Sequence, residues 1–178
     1  MKQQLTLTRR NLLASLALGG TGLAVAQGSS SPPGDARAPA LPQPGAALAL
    51  TDVTLLDGSV WRASGAAGQV LVVYWWASWC PFCAVQSPHI EKLWRKERSR
   101  GLQVLALSID RTQEAAAGYM RQKGYTFPAG MLTPDVAKVL PKPKGLPVVA
   151  VRGRAARVVF AQAGEMLPDE IEGLAQFL

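Results

Sequence analysis

Seven consecutive residues, Val70-Leu71-Val72-Val73-Tyr74-Trp75-Trp76, contain no charge, glycine or proline, and Cys80 follows them closely. An unbroken β-branched and aromatic run of this kind is the pattern of a strand covered on both faces, so it should lie at the centre of a sheet. The chain has the means to cover it. Of its 178 residues, 48% are hydrophobic and only 17% charged, the composition of a folded globular chain with a sizeable core. That length suits a single domain with a short extra segment, and no part of the sequence repeats another.

Around this run, strand and helix patterns alternate. Leu48 to Leu56, the turn residues Asp57-Gly58, and Ser59-Val60-Trp61 read as an N-terminal hairpin. From Pro81 to Arg100 the apolar positions Val85, Ile90, Leu93 and Trp94 recur at helical spacing, with Pro88 inside as a kink and Gly101 as terminator. Leu102 to Ile109 reads as a second buried strand, Thr112 to Lys123 as a helix stopped by Gly124, and Pro134 to Leu140 as a short helix. Val148 to Val151 and Arg157 to Phe160 flank a turn and read as a late hairpin, and Pro168 to Leu178 as a closing helix. The fold class is therefore α/β, with a mixed central sheet flanked by helices.

The first residues have another character. Met1 to Arg10 holds Lys2, Arg9 and Arg10 with no acid, Leu12 to Ala26 is uncharged, and Ala24-Val25-Ala26 ends the run in small residues. Fifteen apolar residues fall short of the roughly 20 a membrane-spanning helix needs. The order basic, apolar, cleavable is that of an export signal over residues 1–26, the alternative being a buried amphipathic helix. Thr8-Arg9-Arg10-Asn11-Leu12-Leu13 resembles a twin-arginine export motif, although adjacent arginines also precede signals of the general pathway. Cleavage after Ala26 would leave 152 residues and lower the net charge from +7 to +4. Residues 27–47, with Ser29-Ser30-Ser31-Pro32-Pro33-Gly34 and Pro39, Pro42 and Pro44, read as a flexible spacer ahead of a domain over 48–178.

Chemistry concentrates where the central strand meets the first long helix, at Trp79-Cys80-Pro81-Phe82-Cys83. Two cysteines and one histidine cannot fill a four-ligand structural zinc site without carboxylates, and one disulfide is not a disulfide scaffold. Two cysteines separated by two residues across a helix start can reach disulfide geometry, and the helix's positive end favours the thiolate of Cys80. A Cys80 thiolate can attack a disulfide, and Cys83 can then resolve the mixed disulfide. Half of a metal site and an inert structural bridge are the alternatives. The bridge is disfavoured because so short a loop restrains little of the unfolded chain.

The stretch Trp75-Trp76-Ala77-Ser78-Trp79-Cys80-Pro81-Phe82-Cys83, with Pro88 further along and Gly145-Leu146-Pro147 before a late strand, resembles the thioredoxin superfamily. Leu56-Asp57-Gly58-Ser59-Val60 and Gly68-Gln69-Val70 resemble its TlpA-like exported branch, and the resemblance spans nearly all of 48–178. It implies a thioredoxin fold with an N-terminal β-hairpin extension, Cys80 as attacking and Cys83 as resolving thiol, and a redox-active disulfide between them. It also implies Trp79, Pro81, Phe82 and Gln86 as active-site neighbours, and a cis peptide between Leu146 and Pro147, where a partner's extended segment would bind. The expected activity is that of a periplasmic thiol–disulfide oxidoreductase reducing partner-protein disulfides, in cytochrome c maturation or copper-oxidase assembly. Electrons would come from a membrane thiol donor, since the outer compartment has no reducing pool. No cofactor, no metal and no nucleic acid is implied, and a monomer is expected, tethered to the membrane if the signal is retained.

Two departures bear on mechanism. Many thioredoxins carry an acid where this chain has Tyr74, and many TlpA-like proteins a glutamate where it has Gln86. A carboxylate could take the proton of Cys83; an amide cannot. Water, His89 and Glu91 are the candidates to replace it, with His89 expected at a solvated helix position. Phe82 offers no donor to Cys80, so a reducing or intermediate potential is expected. The basic groups Lys92, Arg95, Lys96, Arg98 and Arg100, and Lys138, Lys142 and Lys144, read as solvated faces. Trp75 and Trp76 should be core and Trp79 should line the active-site surface. A periplasmic copper-handling chaperone is an alternative because two thiolates suit a cuprous ion, and an oxidant or isomerase of the same fold is another. A peroxide-reducing enzyme is disfavoured because Ala77 stands where peroxiredoxins have a threonine.

Overall fold

The computed structural model of the chain describes residues 38–178. The expected export signal and the first part of the spacer lie outside the described residues. The N-terminal hairpin pairs β1 (Val53–Thr54) with β2 (Val60–Trp61), shorter than the sequence pattern predicts because only these residues align across the Asp57-Gly58 turn. β3 (Val70–Trp76) leads into α1 (Pro81–Glu97), and β4 (Leu102–Ser108) into α2 (Gln113–Lys123). Then come β5 (Ala129–Met131), α3 (Pro134–Val139), the hairpin of β6 (Val148–Arg152) and β7 (Val158–Ala163), and α4 (Pro168–Gly173). The five-stranded sheet runs β5-β4-β3-β6-β7, parallel from β5 to β3 and antiparallel from β3 to β7. β3 is central, as its composition requires, and every one of its residues is buried.

Successive side chains of a strand point to opposite faces, and β3 divides its apolar residues accordingly. Val70, Val72, Tyr74 and Trp76 join Ile90 and Leu93 of α1, Met120 of α2 and Ile171 of α4 in one core. Leu71, Val73 and Trp75 join Val53, Trp61, Val136 and Leu140 in a second core on the other face. The hairpin reaches that second core because Gly130 has no side chain: a Cβ there would stand 2.6 Å from Val53 Cγ1 and 2.8 Å from the Thr54 carbonyl.

Three expectations change. Gly45 to Ala47, assigned to the flexible spacer by their proline-rich surroundings, and Leu48 at the expected start of the domain are hydrogen-bonded to the β7 side of the late hairpin. Gly45 N–H donates to the Val158 carbonyl at 2.8 Å, Val158 N–H to Ala46 at 2.8 Å, and Leu48 N–H to Ala156 at 3.2 Å. Backbone pairing needs no particular side chains, so composition does not reveal it. Val85, expected on the buried face of α1, is 54% exposed. The inward face of the first two turns runs instead through Cys83, Gln86 and Ser87, and α1 continues through Pro88 to Glu97. β5 occupies a stretch with no assigned element; Leu56 N–H donates to the Ala129 carbonyl and holds it from outside the sheet.

Candidate active site

The junction of β3 and α1 is built on Cys80. It occupies the N-cap of α1 with extended backbone angles, Pro81 follows at the first helical position, and its Sγ accepts the Cys83 N–H at 3.2 Å. The sulfur thus performs the capping role usually taken by a serine or aspartate oxygen, satisfying one of the free donors of the helix start. Both cysteines are unbridged in this structure. Both are also buried, Cys80 at 4% and Cys83 at 1% exposed, but Trp79 and Phe82, on either side of Cys80, are 64% and 54% exposed. Burial pushes the Cys83 thiol up from 9.0 to about 12; the neighbouring Cys80 adds to the rise, and hydrogen bonds involving Ala77 and Tyr74 oppose it.

The loop before Cys80 is held by a carboxylate that the sequence pattern does not single out. Asp110, two residues beyond the end of β4, accepts Ser78 N–H at 3.1 Å, Ser78 O–H at 2.6 Å and Ser108 O–H at 2.7 Å. Trp76 pairs with Ser108 in the sheet register, so Ser78 and Asp110 leave neighbouring strands at the same edge. The only signal for this anchor in the sequence is a polar Ser108-Ile109-Asp110 immediately after an apolar strand.

On the other side of β3, Val148 of β6 pairs with Trp75, which sets Pro147 beside the end of the central strand. The Leu146–Pro147 peptide is cis. Lys142 Nζ donates to the Pro143 and Gly145 carbonyls at 2.8 and 3.0 Å, fastening the turn that precedes it. Leu146 is half-buried, and Pro147 is buried. Pro81 is exposed, like Phe82.

Beneath Cys83 the polar groups are neutral. Gln86 is fully buried; its Oε1 accepts Met166 N–H at 2.8 Å, and its Nε2 has no partner among the described residues. Tyr74 and Ser87, also fully buried, place their hydroxyl oxygens 3.0 Å apart. Of the candidates for Cys83's proton, Glu91 is committed elsewhere. Its carboxylate accepts Thr126 N–H at 2.8 Å, Thr126 O–H at 2.7 Å, Phe127 N–H at 3.1 Å and Arg95 Nε–H at 2.5 Å. Burial would raise its pKa, but those hydrogen bonds outweigh burial and hold it below the ordinary value. His89 is partly exposed on the outer part of α1. Among the described residues no group of three or more His, Cys, Asp and Glu side chains gathers as a metal site.

Comparison with known proteins agrees with this arrangement. Thiol-disulfide oxidoreductase ResA of Bacillus thuringiensis (strain Al Hakam) is 26% identical over 124 residues, covering 68% of this chain and 70% of that protein. Among solved structures, a thiol:disulfide interchange protein of the thioredoxin family from Chlorobium tepidum TLS superposes with a TM-score of 0.67 at 20% identity, over 78% of this chain and 97% of that one. StoA from Bacillus subtilis superposes with a TM-score of 0.62 at 16% identity, over 73% and 98%. At such identities these structures speak for the thioredoxin fold alone. The profile of the AhpC/TSA family matches residues 44–132, half of the sequence and the half that carries both cysteines. The chain therefore belongs to the AhpC/TSA family, as a thiol–disulfide oxidoreductase on a thioredoxin fold.

Proposed function

We propose that this chain is an exported reductant of partner-protein disulfides, working through a Cys80/Cys83 dithiol–disulfide cycle. The asymmetry of the two sulfurs carries the reading: both are buried, but Cys80 Sγ caps the helix start between exposed Trp79 and Phe82, while burial holds Cys83 as a thiol. The Cys80 thiolate attacks one sulfur of a partner disulfide, forming a Cys80–partner disulfide and releasing one partner thiolate. Cys83 then loses its proton, attacks Cys80 Sγ, closes the Cys80–Cys83 disulfide and releases the second partner thiolate. Two electrons pass to the partner, and a membrane thiol donor returns them.

Trp79, Pro81 and Phe82 form the surface met by the partner, Leu146 and Pro147 bind its extended segment, and Gln86 supports the resolving thiol from below. Residues 1–26 serve as the export signal, which places the domain in the periplasm, tethered wherever the signal is retained. Its partners are proteins of cytochrome c maturation or copper-oxidase assembly. Among the described residues no helix is long and apolar enough to cross a membrane.

The test combines a potential with a trap. The Cys80–Cys83 pair should be far more reducing than the dedicated periplasmic oxidants, whose potential lies near about −120 mV. A Cys83→Ala variant should accumulate a mixed disulfide through Cys80. A potential near that of the oxidants removes the reductant role, and absence of a mixed disulfide removes the assigned exchange.

A further inference from the structure

Among the described residues no carboxylate is placed to take the proton of Cys83, yet its pocket is not apolar. Cys83 and Ser87 stand one turn apart on α1 and both are buried, so they share the face that meets β3. Tyr74 rises from β3 into the same space, and its Oη lies 3.0 Å from Ser87 Oγ. Tyr74 and Cys83 belong to the same core, and one helical turn of separation between Cys83 and Ser87 brings that hydroxyl near the Cys83 sulfur, whose pKa rise it opposes. A phenol has one hydrogen to give and two lone pairs to receive. If Ser87 donates to Tyr74 Oη, the Tyr74 hydrogen is left for sulfur.

We propose that Tyr74 is a further catalytic residue of the resolving step, donating its hydroxyl hydrogen to Cys83 as the thiolate forms, with Ser87 as the positioning residue that orients it. The inference rests on the Cys80/Cys83 cycle above. The hydroxyl pair stores no proton: burial holds Tyr74 well above the ordinary phenol value, so it stays neutral at working pH. The Cys83 proton passes to water, and the Tyr74 hydrogen bond lowers the cost of leaving a negative sulfur in a buried site. Charge-assisted hydrogen bonds are about twice as strong as neutral ones, which gives the pair its leverage at this step alone.

The other groups facing this pocket are accounted for. Cys80 and Tyr119 of α2 interact electrostatically with Cys83. Gln86 is neutral, Asp110 serves Ser78 and Ser108, and Glu91 serves Thr126 and Phe127. On the α4 side Glu170 accepts the Leu167 N–H, and Glu172 pairs with Lys92 and lies within the field of His89.

The experiment compares Tyr74→Phe, Ser87→Ala and Ser87→Thr in the full chain. Resolution of a preformed Cys80 mixed disulfide is followed across pH, and the first attack is measured separately in a Cys83→Ala background. Tyr74→Phe should raise the Cys83 pKa by about one unit, which slows resolution about threefold at each pH below that pKa once the greater nucleophilicity of a more basic thiolate is allowed for. Attack by Cys80 should stay unchanged. Ser87→Ala should shift the profile in the same direction by less, and Ser87→Thr, which keeps the hydroxyl, should restore it. Resolution as fast in Tyr74→Phe as in the parent overturns the inference, as does equal slowing of the first attack. Ser87→Thr behaving like Ser87→Ala overturns the role of Ser87. If the Cys83→Ala background forms no mixed disulfide, the underlying cycle fails instead, a result distinct from the others.

Discussion

Raising the pH should accelerate resolution of a mixed disulfide on Cys80 far beyond the range in which an ordinary thiol has finished ionising. Only the thiolate attacks, and burial pushes Cys83 from 9.0 up to about 12. Three units leave about a thousandfold less thiolate at neutral pH. A more basic thiolate is a better nucleophile, with a Brønsted slope of about 0.4–0.5, which restores about 15- to 30-fold. The net handicap is about 50-fold. In the mixed disulfide Cys80 is already bonded to the partner, so its own contributions to the shift vanish, while burial, the largest cause, remains. The Cys83 pKa in the intermediate should therefore fall below 12 and stay above the ordinary 9.0. The assay loads Cys80 with nitrothiobenzoate at acid pH, jumps the pH, and follows release of the coloured thiol by stopped flow. The rate should climb about tenfold per unit from about pH 7 through about pH 9 and keep climbing past about pH 10. A profile that bends at pH 9 and levels off by about pH 10 would mean that Cys83 ionises as an exposed thiol does, and would refute the reasoning.

Two further substitutions separate anchoring from chemistry. Asp110→Ala leaves the Ser78 N–H and the Ser78 and Ser108 hydroxyls without their acceptor, and should cost about 2–4 kcal/mol of stability in denaturant unfolding while slowing attack by Cys80. Unfolding and attack both like the parent would show that the loop does not need this anchor. Glu91→Ala should likewise cost about 2–4 kcal/mol, since it frees two backbone N–H groups and the Thr126 hydroxyl, but should leave the pH profile of resolution in place. Because its folded pKa is lowered, the Glu91 contribution is present above the unfolded carboxylate value and is lost as pH falls through the folded one. A displaced resolution profile would make Glu91 the base after all.

How far the sequence reaches depends on which physical signal each element leaves. β3 was legible because a strand buried on both faces must be apolar at every position, and the placing of Cys80 and Cys83 at a helix start because Pro81 and the following pattern mark that start. The outer face of α1 was not. Its first turns bury Gln86 and Ser87 while Phe82 and Val85 stay exposed, the reverse of an ordinary amphipathic helix. Apolar side chains at the site face outward, and the polar ones beneath pair with Met166 and Tyr74. β5 escaped because three residues behind Pro128 are too few to show a period. Asp110 escaped because its partner Ser78 comes from a neighbouring strand end, a proximity that only the parallel register creates.

The bridges made by the N-terminal segment set a limit on its length. Ala47 meets Arg157 beside β7, and Leu55 meets Gly130 in β5, the two margins of the sheet, with Leu50 packed on the second core between them. Ala47 and Leu55 each lie one strand spacing outside their margin, so about six spacings of about 4.8 Å, or about 29 Å, separate them across the sheet. The eight steps from Ala47 to Leu55 reach about 26–29 Å when extended. The segment is thus a strap drawn close to its full reach, and shortening it must release one margin of the sheet.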